Sequence, residues 1–345
     1  LGYVVWNYGP QFHFGTQAPF ESISNRLICL VALAFIWGLT NIRQELNPFK
    51  MLPIFHLQNE IHIISQKLKE VQRQIKKAQK KGATQRPVIQ WHLVLGPRNS
   101  GKTHLLNCAM DSDQDPTLIT ATQDCAIWHT MDNVFIELGE HFLPNHDDVN
   151  SCRLLFQAFI KLCERLDIQF HHVAVTVPIN QVMTNTVDID VTHTHQMLTT
   201  LIAKSQGLPI SVIFTKCDQM AGFTAFFCDL SMDERNQYCG IRLPLGQTAT
   251  TMKKTINKHL MQLNKRFHDR LLSRLQNEIS AGQRSSMHDF PYQFELFCTR
   301  SIHFLNELLP DCDLNLTGLF FTSSQQSGPS INHLTAQLSE VFSLQ

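Results

Sequence analysis

Apolar positions along this chain follow two periods, and each predicts a different kind of element. The first period is helical. Leu57, Ile61, Ile64, Leu68, Val71, Ile75 and Ala78 are spaced 4, 3, 4, 3, 4 and 3 apart, the rhythm of a helix with one continuous apolar seam. The remaining positions are polar and turn basic at Lys76, Lys77, Lys80 and Lys81, ahead of a natural stop at Gly82. Such a seam either meets another helix in a coiled coil or packs on its own domain, and the pattern leaves both open. A second stripe comprises Met252, Ile256, Leu260, Leu263, Phe267, Leu271 and Leu275, spaced 4, 4, 3, 4, 4 and 4 within Thr251 to Ile279. It reads as core. Asp289-Phe290-Pro291 opens a further helical stretch to about Leu309, and Leu334 to Phe342 closes the chain with another. The other signal is short and β-rich: Val88 to Leu95, Val134 to Leu138, Val173 to Val177, Ile210 to Phe214 and Gly318 to Thr322. Strands alternating with helices predict an α/β fold, a sheet flanked by helices, with a helical subdomain inserted before the last strand.

The first 42 residues stand apart. Leu1 to Glu21 holds a single formal charge and the aromatics Tyr3, Trp6, Tyr8, Phe12, Phe14 and Phe20. Leu27 to Leu39 then runs for thirteen residues without a charged or strongly polar side chain. Extended to residues 23–42 the stretch reaches the roughly 20 residues that a bilayer-spanning helix needs, with Arg26 snorkelling at one end and Trp37 anchoring the other. Nine Lys/Arg lie between Arg43 and Lys81 against none in residues 1–21, which puts the C-terminal side in the cytoplasm. The expectation is a transmembrane helix at 23–42, preceded by the end of an earlier span and a short periplasmic loop at 1–22.

Composition narrows the function classes. Among 345 residues, 29 Lys+Arg balance 29 Asp+Glu, which argues against nucleic-acid binding driven by bulk charge. A hydrophobic share of 43% excludes wholesale disorder. The ten cysteines form no CxxC pair and read as reduced thiols. His171-His172 and His193-x-His195 have no Cys or carboxylate at metal spacing.

The strongest chemical signal follows the first β-rich run. Gly96-Pro97-Arg98-Asn99-Ser100-Gly101-Lys102-Thr103 fits GxxxxGK[ST] between a strand and a helix, the order that a phosphate-binding loop requires. Gly96 and Gly101 let the backbone turn its N–H groups toward phosphate oxygens. Lys102 would reach the β/γ-phosphates of GTP or ATP, and Thr103 would bind Mg²⁺. The next apolar run ends in Glu137-Leu138-Gly139-Glu140, where a GTPase carries Asp-x-x-Gly. Glu137 could still reach the metal shell, but Glu140 replaces the glycine whose N–H approaches a γ-phosphate. His141 stands where a water-orienting residue is often found. Candidate catalytic groups are limited to Glu137 and His141, and little or no turnover is expected. Two strands later, Thr215-Lys216-Cys217-Asp218 resembles the Asn-Lys-x-Asp element of guanine-specific proteins. There Asp218 would accept hydrogen bonds from the guanine edge and the Lys216 stem would lie on the base.

Together with TQDCAIW at 122–128, VTVPINQV at 175–182, TKCDQMAGFTAFF at 215–227, DLSMDER at 229–235 and GLFFTSSQQSG at 318–328, these motifs resemble the IcmF/TssM family of bacterial secretion-system proteins. The resemblance implies a P-loop GTPase-like domain on the cytoplasmic side of the inner membrane. It also implies a DotU/TssL-type partner, other secretion-complex subunits and a role bracing an envelope-spanning machine. It adds the late Thr-Ser segment, with Ser323 and Ser324, to the nucleotide site. The erosion of the motifs at 98–99 and 137–140 leans toward the type IVB rather than the type VI system. The expected layout is an amphipathic linker at 43–86, a nucleotide-binding-like domain at 87–246, a helical subdomain at 247–316, and the final strand and helix at 317–345.

Overall fold

The computed structural model describes residue 6 and residues 22–45, 55–81, 89–110, 117–121, 125–130, 132–139, 142–143, 149–184, 189–205, 207–235, 237–309 and 315–323. In chain order the elements are α1 (Ile23–Glu45), α2 (Phe55–Lys81), β1 (Gln90–Leu95), α3 (Lys102–Met110), β2 (Thr117–Ala121), β3 (Cys125–His129) and β4 (Asn133–Leu138). Then come α4 (Val149–Arg165), β5 (Phe170–Pro178), α5 (Ile179–Thr184), α6 (Ile189–Lys204), β6 (Pro209–Thr215), α7 (Phe223–Phe227) and α8 (Met232–Arg235). The last are β7 (Cys239–Arg242), α9 (Ala249–Asn277), α10 (Ala281–Leu308) and β8 (Asn315–Phe321). The helix expected at Leu334 to Phe342 and most of the segment expected at 1–22 lie outside the described residues.

The strands form one eight-stranded sheet in the order β2-β3-β4-β1-β5-β6-β8-β7. Its centre is parallel: β1 lies between β4 and β5, and β5, β6 and β8 follow in the same sense. Both margins are antiparallel, β2-β3-β4 on one side and β8-β7 on the other. Strand order reverses at β1, because the chain reaches β4 on one side and β5 on the other. In such sheets a crevice opens beyond the carboxyl ends of the strands at the reversal, and Gly96 follows β1 at that point.

Alternation along each strand sorts side chains between two faces. Leu93, Leu95, Val173, Val175 and Val212 join the main core, which α2, α4, α6 and α10 also line. The seam of α2, from Leu57 to Ile75, is buried within this core, so the seam packs on its own domain and not in a coiled coil. Val94, Ala126, Trp128 and Ala174 point to the other face, where Leu106 of α3 meets them. Across the amino-terminal half of that face runs a polar row. His92 Nε2 pairs with Asn133 Oδ1 at 2.9 Å, His172 Nε2 with Ser211 Oγ at 2.8 Å, and Ser211 Oγ with Thr317 Oγ1 at 2.8 Å.

α9 and α10 form a helical hairpin. α10 begins at Ala281, eight residues before the start expected at Asp289, because Ser280 caps it by accepting the Gln283 N–H through its hydroxyl. Pro291 therefore sits inside a helix, held by the buried rings of Phe290 and Phe294 on either side. Phe290 packs against Phe226 (ring centroids 4.9 Å apart), Phe227 (5.3 Å), Phe267 (5.3 Å) and Phe223 (5.7 Å), which welds the hairpin to α7.

The transmembrane expectation for 23–42 is not met. A helix does form there, but among the described residues no helix is long and apolar enough to cross a membrane. The uncharged run of α1 between Arg26 and Arg43 is sixteen residues, Leu27 to Ile42, and it carries the polar Thr40 and Asn41 near its end, with Glu45 following within the helix.

Candidate phosphate- and base-binding site

The loop at 96–103 is built for a tight turn around its own lysine. Gly96 (φ +150°) and Gly101 (φ +80°) have positive φ, as does Asn99 (φ +54°). A Cβ on Gly96 would lie 2.2 Å from Thr176 Oγ1 and 2.4 Å from the Thr176 carbonyl oxygen, so only glycine lets the loop lie against β5. Three hydrogen bonds pin it there. Ser100 Oγ pairs with Thr176 Oγ1 at 2.7 Å, Thr176 Oγ1 donates to the Leu95 carbonyl at 3.1 Å, and Thr215 Oγ1 donates to the Ser100 carbonyl at 2.6 Å. Thr176 escaped the sequence reading. Its signal was a lone hydroxyl in the apolar run VAVTVP.

Lys102 is buried, and its ammonium donates to the carbonyls of Gly96 (2.9 Å) and Pro97 (2.8 Å). It thus lies in the hollow of the loop. Thr103 Oγ1 donates to Glu137 Oε1 at 2.6 Å, so the two residues expected to share a metal meet across the crevice from α3 and β4. Burial raises the Glu137 pKa, opposed by the Thr103 hydroxyl and the Lys102 charge. The second carboxylate oxygen, Oε2, is buried with no hydrogen-bond partner. A hydroxyl and a desolvated carboxylate with a spare oxygen are hard oxygen donors suited to Mg²⁺, so these side chains fit the metal that the loop implies. Such an ion would neutralise charge on bound phosphates.

Arg98 departs from the small residues usual in this loop. Its Nη2 donates to the Leu143 carbonyl at 3.2 Å, tying the loop to the segment after β4. Phe142 and Leu143 there are both buried. Glu140 and His141 lie outside the described residues.

The base-recognition candidates sit two strands from β1, at the carboxyl end of β6. Lys216 is left-handed (φ +59°, ψ +34°). Asp218 and Ser323 meet: the Asp218 N–H donates to Ser323 Oγ at 3.2 Å, and the Ser323 hydroxyl donates back to Asp218 Oδ1. Backbone bonds from Cys217 N to Thr322 O and from Thr322 N to Phe214 O hold the two segments together. Burial pushes the Cys217 thiol pKa up, so this cysteine is a packing residue. Ser324 lies outside the described residues.

A strand-loop-helix with GxxxxGKT at the switch point of a parallel-centred sheet, faced by a Thr103–Glu137 pair and a Thr-Lys-Cys-Asp turn, belongs to a mixed α/β domain whose parallel-rich sheet is flanked by helices. The chain belongs to the family described as the IcmF-related N-terminal domain, whose model matches residues 169–345. A curated relative is the "Type VI secretion system component TssM1" of Pseudomonas aeruginosa PAO1, 24% identical over 307 residues. That match covers 83% of this chain, which spans 28% of the length of the relative. The relative is a type VI component, against the sequence-based lean toward type IVB. Among solved structures, the small COPII coat GTPase SAR1 of Encephalitozoon cuniculi in complex with GDP covers 47% of this chain and 63% of its own. It shares 16% identity with a TM-score of 0.26.

Proposed function

We propose that the chain is a structural part of a type VI-like secretion complex at the bacterial inner membrane, and that its P-loop site binds a guanine nucleotide with Mg²⁺ as a regulatory ligand. Family membership and the type VI relative support the secretion role. In this reading the chain docks a DotU/TssL-type protein and other subunits of the complex. The observation that carries the nucleotide site is the convergence of Lys102, Thr103 and Glu137 on one end of the crevice and Asp218 with Ser323 on the other. Turnover is slow, because Glu137 is one methylene longer than the usual aspartate and the motif's γ-phosphate-sensing glycine is replaced in the sequence by the acidic Glu140. Two like charges about 4 Å apart cost roughly 4 kcal/mol at an effective dielectric of 20, or about three powers of ten in rate.

The test is titration of the purified chain with fluorescent GTP, GDP and ATP, followed by steady-state phosphate release. Saturable GTP binding with release far below one turnover per second is expected. Several turnovers per second, abolished by Lys102→Ala, would make the chain an NTPase instead. No binding of any nucleotide would make it a scaffold with a relic loop.

A further inference from the structure

We propose that the solvent-facing stripe of α9 is a docking surface for an acidic amphipathic helix of another subunit of the secretion complex. The inference rests on the secretion reading above and names the surface and the chemistry of its partner.

α9 concentrates a charge that the chain as a whole does not carry. Its 29 residues hold seven Lys/Arg and one acid, Asp269, within a chain of zero formal net charge. Arg270 and Arg274 are held by Asp229, at 3.0 and 2.8 Å. The other five are exposed, and among the described residues none of them pairs with an acid. Helix stability does not account for them. The first turn has no acid to offset the positive end of the helix dipole. Lys254 and Lys258 stand four apart, where like charges on a helix repel.

The exposed positions form a seam. Lys254, Lys258, Met261, Lys265 and Leu272 are spaced 4, 3, 4 and 7 apart, so they share one side of the helix. By the 3.6-residue period that side lies opposite the buried Met252, Ile256, Leu260 and Phe267. From Lys254 to Leu272 it runs for about 27 Å at 1.5 Å per residue. Cations occupy its amino-terminal half. Its carboxyl end is apolar: Leu272 is 67% exposed, and Ile279, just past the helix, is 94% exposed. Tyr292 of α10 stands edge-on to His268 of α9, ring centroids 5.2 Å apart, and is 43% exposed.

An acidic helix matches both halves. Its carboxylates would face Lys254, Lys258 and Lys265, and its apolar side chains would cover Met261 and Leu272. That is the division of charge and core that sets pairing in coiled coils. A lipid surface matches less well. A helix that lies on a bilayer keeps its cations and its apolar side chains on different faces, whereas Met261 sits between Lys258 and Lys265 on one stripe.

Fluorescence anisotropy on the full 345-residue chain tests this. The probes are a labelled peptide of about three heptads with Glu flanking a Leu seam, the same peptide with Gln for Glu, and vesicles of phosphatidylglycerol and phosphatidylethanolamine. The Glu peptide is expected to bind about tenfold tighter than the Gln peptide, and less tightly as salt rises. Lys254→Glu, Lys258→Glu and Lys265→Glu together should remove that advantage without lowering the melting temperature, since acids near the start of α9 favour its dipole. Leu272→Ser should weaken the Glu peptide several-fold and leave the salt dependence unchanged. Equal binding by the charge-reversed chain, or a loss that Leu272→Ser does not share, overturns the seam. No binding of the Glu peptide overturns the proposal, and vesicle binding through the same side chains would put lipid there instead. In the host, secretion that needs the chain but survives the charge reversal overturns docking at α9 and leaves the secretion role standing. Secretion that survives deletion of the chain overturns both.

Discussion

The polar row on the α3 face makes acid stability depend on one histidine. His172 is largely buried, and burial, helped by the nearby His92 ring at 6.0 Å, holds its pKa down to about 4 from an ordinary 6.5. A depressed histidine pKa means that the fold prefers the neutral ring. Its contribution is therefore complete above pH 6.5, where neither state is protonated. It is lost as pH falls from 6.5 toward 4, where the unfolded chain takes up the proton first. At 1.36 kcal/mol per pH unit the full loss is about 3 kcal/mol, of which about 2 kcal/mol has gone by pH 5. His172→Gln keeps an amide able to bond Ser211 and removes the titration. Urea unfolding of both chains at pH 7.5 and pH 5 isolates the effect, because carboxylates titrate alike in both and cancel in the difference. The wild-type chain should lose about 2 kcal/mol more than the variant over that range. A difference that stays within roughly 0.5 kcal/mol would refute the argument and put water, not protein, around that ring.

Thr103→Val removes the hydroxyl donated to Glu137, and GTP affinity should fall at least tenfold in Mg²⁺ but little in EDTA, as read by calorimetric titration. Asp218→Ala should cost GTP more affinity than ATP in a competition assay, and equal losses would take Asp218 out of the base site. Gly222→Ala would place a Cβ 2.0 Å from the Ser286 carbonyl oxygen at φ +82°; left-handed strain and overpacking together should cost about 2–5 kcal/mol in urea unfolding.

Where one periodic signal dominated, the sequence was enough. The parallel strands β1, β4, β5, β6 and β8 are buried on both faces and read as apolar runs. The loop at 96–103 announced itself because two glycines and a lysine at set distances have few other uses. The short strands β2, β3 and β7 at the margins of the sheet went unread, since a run of four or five residues has too little apolar alternation to stand out from a loop. Pro291 misled: a proline marks a helix start only where no earlier cap exists, and Ser280 supplied one. The seam of α2 could not reveal its partner, because a heptad stripe is the same whether it meets a second helix or a sheet with α4 beside it. Thr103 and Glu137 were paired from motif order alone, whereas the Arg98–Leu143 bond spans a loop whose path no spacing encodes. At 23–42 the hydropathy pattern was stretched beyond thirteen residues free of charged or strongly polar side chains to reach membrane length, and the stretch takes in Arg26, Thr40 and Asn41.

The two ends of the crevice are built differently, and the difference bears on what a nucleotide could change. The base end is held from all sides. Ser323 and Thr322 tie it to the neighbouring strand end. Gly222 brings α10 into backbone contact beside it. Arg274 of α9 donates to the carbonyls of Phe226 and Ala225 and pairs with Asp229 at 2.8 Å, clamping the turn that follows the base loop. Removing any one of these leaves the others, so a base entering here meets a preformed surface and moves little. The phosphate end rests on contacts that an anion would replace. The Lys102 ammonium donates to the Gly96 and Pro97 carbonyls and the Arg98 guanidinium to the Leu143 carbonyl. A phosphate oxygen is a stronger acceptor than a carbonyl for such charged donors. If the proposed nucleotide binds, a change would start at the phosphate end, on the β4 side of the sheet, because the helical hairpin is packed against the turn that follows Asp218.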